Sequence, residues 1–303
     1  MDEKVQIPVP QTQGMYALLG HPVAHSMSPA MHNRAFEELG IDAKYVLIDV
    51  EEDELPDVVL TLKDMGYCGW NITMPLKSAM VPYCDELSDA ARLCGAVNTV
   101  VVRDGRLTGY TTDGQGYTDS LADPEAYMVG GDAKNVEAET VSGKILTILG
   151  CGGAARSIIV QAALDKAAGI HVCKRKNASF DEAVAFCWQV SEETGVPIDV
   201  VDMSTPQDLK WAIDDAQILT NATNVGMEGT DLMSPVPAEF LRSELLVSDI
   251  IYHPQMTQLL TDAKNAGAKI HSGKWMLLYQ GAAAFKLWTG RQMQVEAVKN
   301  VFR

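Results

Sequence analysis

Two charged side chains sit in short polar stretches that suit proton transfer. Lys77 closes GWNITMPLK (69–77), and Asp113 stands in TTDGQG (111–116). A neutral lysine amine takes a proton, and a carboxylate beside it sets its charge and orientation, so the pair offers general acid/base chemistry. Burial lowers a lysine pKa while a neighbouring carboxylate favours the ammonium form. The sequence therefore leaves open which of the two is the proton acceptor; the reading leans to Lys77 as acid/base with Asp113 as its partner. Ser26 and Ser28, in HPVAHSMSPAMHN (21–33), bring two hydroxyls to the start of a helical stretch, a combination able to hold a carboxylate. Asn71, Thr73 and Asn98 add neutral donors and acceptors. Taken singly, each has an ordinary reading: Ser28 as a helix cap, Ser26 facing water, Lys77 solvated, and Asp113 before Gly114 as a turn or N-cap residue.

A second cluster is made of small residues. Gly150, Gly152, Gly153 and Ala154 lie in GCGGAAR (150–156), directly after the apolar run KILTIL and ahead of a helical stretch. Glycines let a backbone approach a pyrophosphate, and a helix N-terminus supplies free N–H groups and a favourable dipole. Strand, glycines and helix in that order are the signature of a dinucleotide site, with Ala155 in place of the third glycine of GxGxxG. An acid about 20 residues further on would take the ribose hydroxyls of NAD. Here the next strand ends in Lys174, Arg175, Lys176 and Asn177, and no carboxylate comes before Asp181. Three basic residues there favour the 2′-phosphate of NADP and leave NAD use open, against the alternative of a solvated basic face.

The elements that must position these groups follow from the apolar periodicity. Met15 to Leu19 reads as a strand, Pro29 to Leu39 as a helix capped by Ser28, Tyr45 to Val50 as a strand, Glu54 to Met65 as a helix, and Gly69 to Thr73 as a strand. Asp104 and Gly105, between NTVVVR and RLTGY, predict a type I′ hairpin that closes this unit. The segment from Asp123 to Ser142 is a polar connection without periodicity. A second alternating unit starts at Lys144. It has a strand, a helix from Gly153 to about Ala167, strand GIHVCK, a helix from Phe180 to Thr194, a strand around Val200, a helix near Pro206 to Ala212, then strands QILTNAT and LLVSDIIY. Helical stretches from Trp275 to Leu287 and from Val295 to Phe302 end the chain. The class is α/β with largely parallel sheets in two domains.

Composition narrows the partners. The 40 Asp plus Glu against 24 Lys plus Arg give a net charge of −16, which repels a phosphate backbone and an anionic membrane surface, so no nucleic acid and no membrane is expected. The six cysteines have neither zinc-site nor disulfide-framework spacing, so no metal is expected. The first residues lack the basic and apolar regions of a signal peptide, and a cytoplasmic location is expected.

HSMSPAMHN, GWNITMPLK, GAVNTVV, TTDGQG, GCGGAAR, TNATNVGM, DIIYHPQMT and MLLYQGA occur in this order over about Met15 to Phe302. The ordered set resembles the shikimate and quinate dehydrogenase family. The resemblance implies an N-terminal α/β substrate domain (1–113, completed by 274–303), a Rossmann-type NAD(P)-binding domain (114–273), C-terminal helices returning to the first domain, and an active site in the cleft between them. It implies that Ser26 and Ser28 hold the substrate carboxylate. Thr73, Lys77, Asn98, Asp113 and Gln280 surround the ring hydroxyls, and Asn71 and Tyr252 line the pocket. Asn221, Thr223 and Gly273 join the cofactor contacts.

The implied activity is NADP-dependent, with NAD as the alternative cofactor. It interconverts shikimate and 3-dehydroshikimate, with quinate as a further substrate, and serves the chorismate route to aromatic amino acids. Two departures stand out: Asn177 replaces an acid that the quinate-accepting branch can carry, and Trp275 stands where a glycine is usual. An aminoshikimate enzyme and a non-catalytic metabolite sensor of the same fold are the rivals, and a homodimer is left open.

Overall fold

The computed structural model describes residues 5–127 and 138–302. Of the polar connection expected from Asp123 to Ser142, residues 128–137 lie outside the described residues, and a single 3₁₀ turn covers Pro124–Tyr127. The chain divides into two compact units, Met1–Thr112 with Gln280–Arg303, and Asp113–Tyr279.

The first unit carries β1 (Gly14–Gly20), α1 (Ser28–Leu39), β2 (Ala43–Asp49), α2 (Leu55–Asp64), β3 (Gly69–Ile72), β4 (Glu86–Leu87), α3 (Asp89–Cys94), β5 (Thr99–Arg103) and β6 (Arg106–Tyr110). Its sheet has the order β2-β1-β3-β5-β6-β4. β1 pairs in parallel with β2 and β3, and β4 with β6, whereas β5 runs antiparallel to β3 and, through a tight hairpin, to β6. Asp104 and Gly105 take φ of 50° and 72°, the left-handed pair that a type I′ turn demands. Apolar faces of β1, β3 and α2 close over Trp70, Leu19, Ile72, Leu62 and Met80. Fully burying a large apolar side chain of this kind contributes about 1.5–3 kcal/mol.

One capping expectation fails. Helix α1 is entered through Met27, with no side-chain cap, and Ser28 is already its first residue. The hydroxyl expected to cap the helix points instead into the protein, since Ser28 is buried. Elements that the periodicity does not mark include α3, which Ser88 caps by accepting the Ala91 N–H. Strand β4 escapes as well, being two residues long and too short to show alternation.

The second unit carries α4 (Asp113–Leu121), β7 (Ile145–Leu149), α5 (Gly153–Leu164), β8 (Gly169–Lys174), α6 (Phe180–Thr194), β9 (Ile198–Asp202), α7 (Pro206–Asp215), β10 (Ile218–Asn221), β11 (Leu246–Asp249), α8 (Gln258–Asn265) and β12 (Lys269–Ser272). All pairings in its sheet are parallel, in the order β12-β11-β10-β7-β8-β9. The order reverses between β7 and β10, and a doubly wound sheet opens a ligand crevice at the carboxyl ends of the strands on either side of such a point. GCGGAAR follows β7 at this position.

Helices α9 (Lys274–Thr289) and α10 (Val295–Lys299) end the chain. From Gln280 onward the chain belongs to the first unit, where Trp288 Nε1 donates to the Val100 carbonyl at 2.9 Å and Arg291 donates to the Leu39 carbonyl at 3.1 Å.

Candidate active site

In the first unit, the loop after β1 and the start of α1 hold the serine pair. Ser26 Oγ accepts the Ser28 N–H at 3.2 Å, which ties the two together. Beside them β2 and β3, both paired with β1, bring Tyr45 and Asn71 into contact: the Tyr45 hydroxyl donates to Asn71 Oδ1 at 2.8 Å. Burial pushes the Tyr45 hydroxyl pKa well up, against the opposing effect of the Ser28 hydroxyl beside it, so Tyr45 stays a neutral donor.

The segment after β3 is irregular and carries Thr73 and Lys77. The Thr73 N–H donates to the Leu19 carbonyl at 2.8 Å, and the Lys77 carbonyl accepts the Val97 N–H at 2.9 Å. Lys77, half-buried, is thereby pinned beside Val97, the residue before Asn98, where the chain enters β5. Asn98 is buried; its Oδ1 accepts the Thr112 N–H at 2.8 Å, and its Nδ2 donates to Thr112 Oγ1 at 3.1 Å. The return of the hairpin thus ends on Asn98, and Asp113 follows directly as the first residue of α4. Gln280 lies half-buried on α9, one residue before Gly281. A β-carbon on Gly281 would fall 2.1 Å from Met31 Cε and 3.5 Å from His32 Nε2, so this glycine lets α9 approach α1.

In the second unit the glycine loop has the shape of an anion cradle. Gly150 takes φ of 99°, and a β-carbon there would lie 3.0 Å from Thr223 Cγ2 and 3.1 Å from the Ala222 carbonyl oxygen. Only glycine fits, and the loop is seated against the end of β10. Gly152 is the N-cap of α5 with no side chain to occupy the free N–H groups, and a β-carbon on either Gly152 or Gly153 would meet no atom within 4 Å, so the space in front of the loop is open. The fully buried Ala155 shows that a methyl is accommodated where the third glycine would stand. These features fit a dinucleotide pyrophosphate.

Asn221 and Thr223 play different parts. Asn221 has no exposed surface: its Oδ1 accepts from the Thr223 N–H and hydroxyl at 3.1 and 2.7 Å, and its Nδ2 donates to the Val225 carbonyl and Asp249 Oδ1, both at 3.1 Å. It shapes the turn from behind, while Thr223 meets the glycine loop. Asp249 also accepts from Ile251 N–H and the Thr257 hydroxyl, and burial pushes its pKa up to about 6. Tyr252, 47% exposed, follows on the loop after β11, its ring 5.0 Å from that of His253. Gly273 packs against the backbone of Ile250, and Trp275 is buried.

The basic run after β8 divides. Lys174 Nζ donates to Asn177 Oδ1 at 3.0 Å and to Ser179 Oγ at 2.9 Å, so it braces the turn. Arg175 and Lys176 are exposed. Arg156, which the motif contains but sequence reasoning does not single out, reaches from α5 to Glu182 at 2.6 Å and lies 4.8 Å from the Phe186 ring centroid. Tyr45 escapes sequence reasoning as well, because strand register decides its contact with Asn71 and no local pattern encodes that register. Among the described residues, no group of three or more His, Cys, Asp or Glu is placed to hold a metal ion, and no helix is long and apolar enough to cross a membrane.

Residues 18–100 match the family model described as shikimate dehydrogenase substrate binding domain, and residues 273–301 match that of the shikimate 5'-dehydrogenase C-terminal domain. The chain is 40% identical over 288 residues to a shikimate dehydrogenase (NADP(+)) from Listeria innocua, covering 95% of this chain and 94% of the relative. A crystal structure of shikimate 5-dehydrogenase from Listeria monocytogenes in complex with shikimate and NAD superposes with a TM-score of 0.87 at 40% identity, over 96% of each chain. Quinate dehydrogenase from Corynebacterium glutamicum in complex with NAD has a TM-score of 0.81 at 25% identity, over 95% of this chain and 98% of that one. At 40% identity over 95% of its length, this chain belongs to the shikimate dehydrogenase family.

Proposed function

We propose that this protein is an NADP-dependent shikimate dehydrogenase, interconverting shikimate and 3-dehydroshikimate. The observation that carries the reading is the set of polar side chains in the first unit: Ser28 at the start of α1, tied to Ser26, Asn71 on β3, bonded by Tyr45, and Asn98 just before β5, bonded by Thr112. A nicotinamide dinucleotide whose pyrophosphate is held at Gly150, Gly152, Gly153 and Thr223 would supply the hydride chemistry. Ser26 and Ser28 donate to the substrate carboxylate and fix the end of the ring. Thr73, Asn98 and Gln280 hold the ring hydroxyls, with Asn71 and Tyr252 lining the pocket. Lys77 takes the proton of the reacting hydroxyl as its carbon loses hydride, and returns it in the reverse direction. Asp113 orients the amine and sets its charge.

Arg175 and Lys176, exposed beyond β8, take the 2′-phosphate as charge-assisted donors. A metabolite sensor built on this fold would not need Lys77 and Asp113, and both are present. The same reading places the enzyme in the cytoplasm; sedimentation analysis tests for a homodimer. The deciding experiment is a matrix of initial rates with shikimate and quinate against NADP and NAD. The highest kcat/KM is expected for shikimate with NADP, and no turnover in any cell of the matrix overturns the assignment.

A further inference from the structure

A buried primary amide presents its oxygen or its nitrogen to a ligand according to which way it is turned, and the two are chemically opposite. In this protein the turn of both site amides is fixed from behind. Asn71 Nδ2 donates to the Asn98 carbonyl oxygen at 3.1 Å and to Thr99 Oγ1 at 2.9 Å. A carbonyl only accepts, so the Asn71 nitrogen must lie on that side and its oxygen on the other. That oxygen receives the Tyr45 hydroxyl proton at 2.8 Å. Thr99, having accepted from Asn71, donates its own proton to Asn98 Oδ1 at 2.9 Å, and the Thr112 N–H donates to the same oxygen at 2.8 Å. Donors therefore run one way, from Tyr45 through Asn71 and Thr99 to Asn98.

The head of this chain is held firmly. Tyr45 is 1% exposed, and its two backbone groups are clamped by the Asn33 amide at 2.8 and 3.0 Å. Its ring stacks on His32 at 4.5 Å and 16°. His32 is completely buried with no hydrogen-bond partner for either ring nitrogen, and burial pushes its pKa down to about 3, so it acts as a neutral aromatic plate.

We propose that Tyr45 is a positioning residue of the substrate site: acting through Asn71 and Thr99, its hydroxyl joins the Thr112 N–H in holding the amide of Asn98 and so tunes the donor and acceptor pattern offered to the hydroxyls of a cyclic polyhydroxy acid. This rests on the proposed function for the identity of the acid, whereas the hydrogen-bond polarity does not. Tyr45→Phe removes the hydroxyl and leaves the stacked ring in place. Asn71 Oδ1 then has no donor in a buried position, and its amide is held from the nitrogen side alone, by the Asn98 carbonyl and Thr99.

The test joins kinetics to a ligand-free readout. In the full-length enzyme, Tyr45→Phe is expected to raise KM for shikimate roughly three- to tenfold, to change kcat less, and to leave KM for NADP unchanged. In an Asn98→Ala background the same substitution should have almost no effect on KM, since no amide remains to be oriented. A merely structural role would instead lower the melting temperature alike in both backgrounds and add its KM effect to that of Asn98→Ala. With asparagine labelled by ¹⁵N, the side-chain amide resonances of Asn71 and Asn98 should both shift in Tyr45→Phe. An additive KM effect, or an unmoved Asn98 amide, overturns the proposal. Absence of turnover in the wild type would defeat the functional reading alone, and the amide spectra would still decide this one.

Discussion

Gly273 and Ile250 meet backbone to backbone: a β-carbon on Gly273 would fall 2.1 Å from the Ile250 carbonyl oxygen and 2.3 Å from its carbonyl carbon. The contact joins the end of β12 to the loop that leaves β11, the loop bearing Tyr252. Backbone cannot yield as a flexible side chain does, so any side chain at 273 must push the two segments apart. Gly273→Ala should therefore destabilise the protein by about 1–3 kcal/mol, the usual scale of overpacking. Thermal unfolding checks this, and an unchanged melting temperature would show that the loop gives way freely. A rise in KM for NADP is expected alongside the loss of stability.

The motif residues around Gly150, and the hairpin turn at Asp104 and Gly105, are legible in the sequence because each demands a backbone that few residues permit. Local rules act over a few residues and leave a trace in composition. Tyr45 leaves none. Its role depends on β2 and β3 both pairing with β1 in a register that places residue 45 near residue 71, and register is a tertiary property. The Ser28 cap fails because α1 begins one residue earlier than its apolar periodicity shows: Met27 takes the N-cap position and Ser28 is already the first helical residue. The resemblance makes Asn221 a cofactor contact, and only the folded structure shows its side chain bonded to Thr223, Val225 and Asp249.

Removal of the amine should stop chemistry without touching the dinucleotide. Lys77→Ala is expected to lower kcat by ~10²–10⁴, the scale of positioned acid/base catalysis, with KM for NADP nearly unchanged. Asp113→Asn should slow turnover as well, with KM for NADP little changed. Ser26→Ala should act chiefly on KM for shikimate, since a carboxylate contact is made equally in ground and transition states. Near wild-type turnover in a folded Lys77→Ala enzyme would refute the assignment of the base.

The basic run after β8 should not respond uniformly. Lys174 already braces the turn through Asn177 and Ser179, whereas Arg175 and Lys176 are exposed. Charge-assisted bonds to phosphate are worth about 1.5–3 kcal/mol. Arg175→Ala with Lys176→Ala should therefore raise KM for NADP tenfold or more and leave KM for NAD close to wild type. Lys174→Ala alone should disturb both cofactors, through the turn. Equal responses of NADP and NAD to the double substitution would mean that the exposed pair is only a solvated face.

Cys151, inside the glycine loop, should be the most reactive thiol. The Cys187 thiol beside it, then the Arg156 guanidinium against the opposing effect of burial, hold its pKa below the ordinary cysteine range, and Cys187 is pushed up in return. Iodoacetamide at neutral pH should modify Cys151 ahead of the buried Cys94, Cys173 and Cys187, and NADP should slow the reaction. Peptide mass spectrometry over a time course reads both. Equal labelling with and without NADP would separate Cys151 from the cofactor site.

His171 on β8 is flanked by two carboxylates, with Nδ1 2.7 Å from Asp199 Oδ1, Nε2 3.0 Å from Asp215 Oδ2, and the ring 4.6 Å from that of Trp211. Burial works to lower its pKa, but hydrogen bonds and charge from Asp199 and Asp215 outweigh it and raise the pKa above 6.5. In the unfolded chain those partners are lost, so the folded state binds the proton more tightly than the unfolded state does. The stabilisation is fully present below the unfolded pKa, near 6.5, and is lost as pH rises through the higher folded value. His171→Gln keeps hydrogen-bonding capacity without the charge. The difference in melting temperature between wild type and this variant should therefore be largest at about pH 6 and shrink steadily as pH rises above neutrality. A difference that stays constant over that range would mean that His171 is held neutral by its surroundings and that the carboxylates act on it only as hydrogen-bond acceptors.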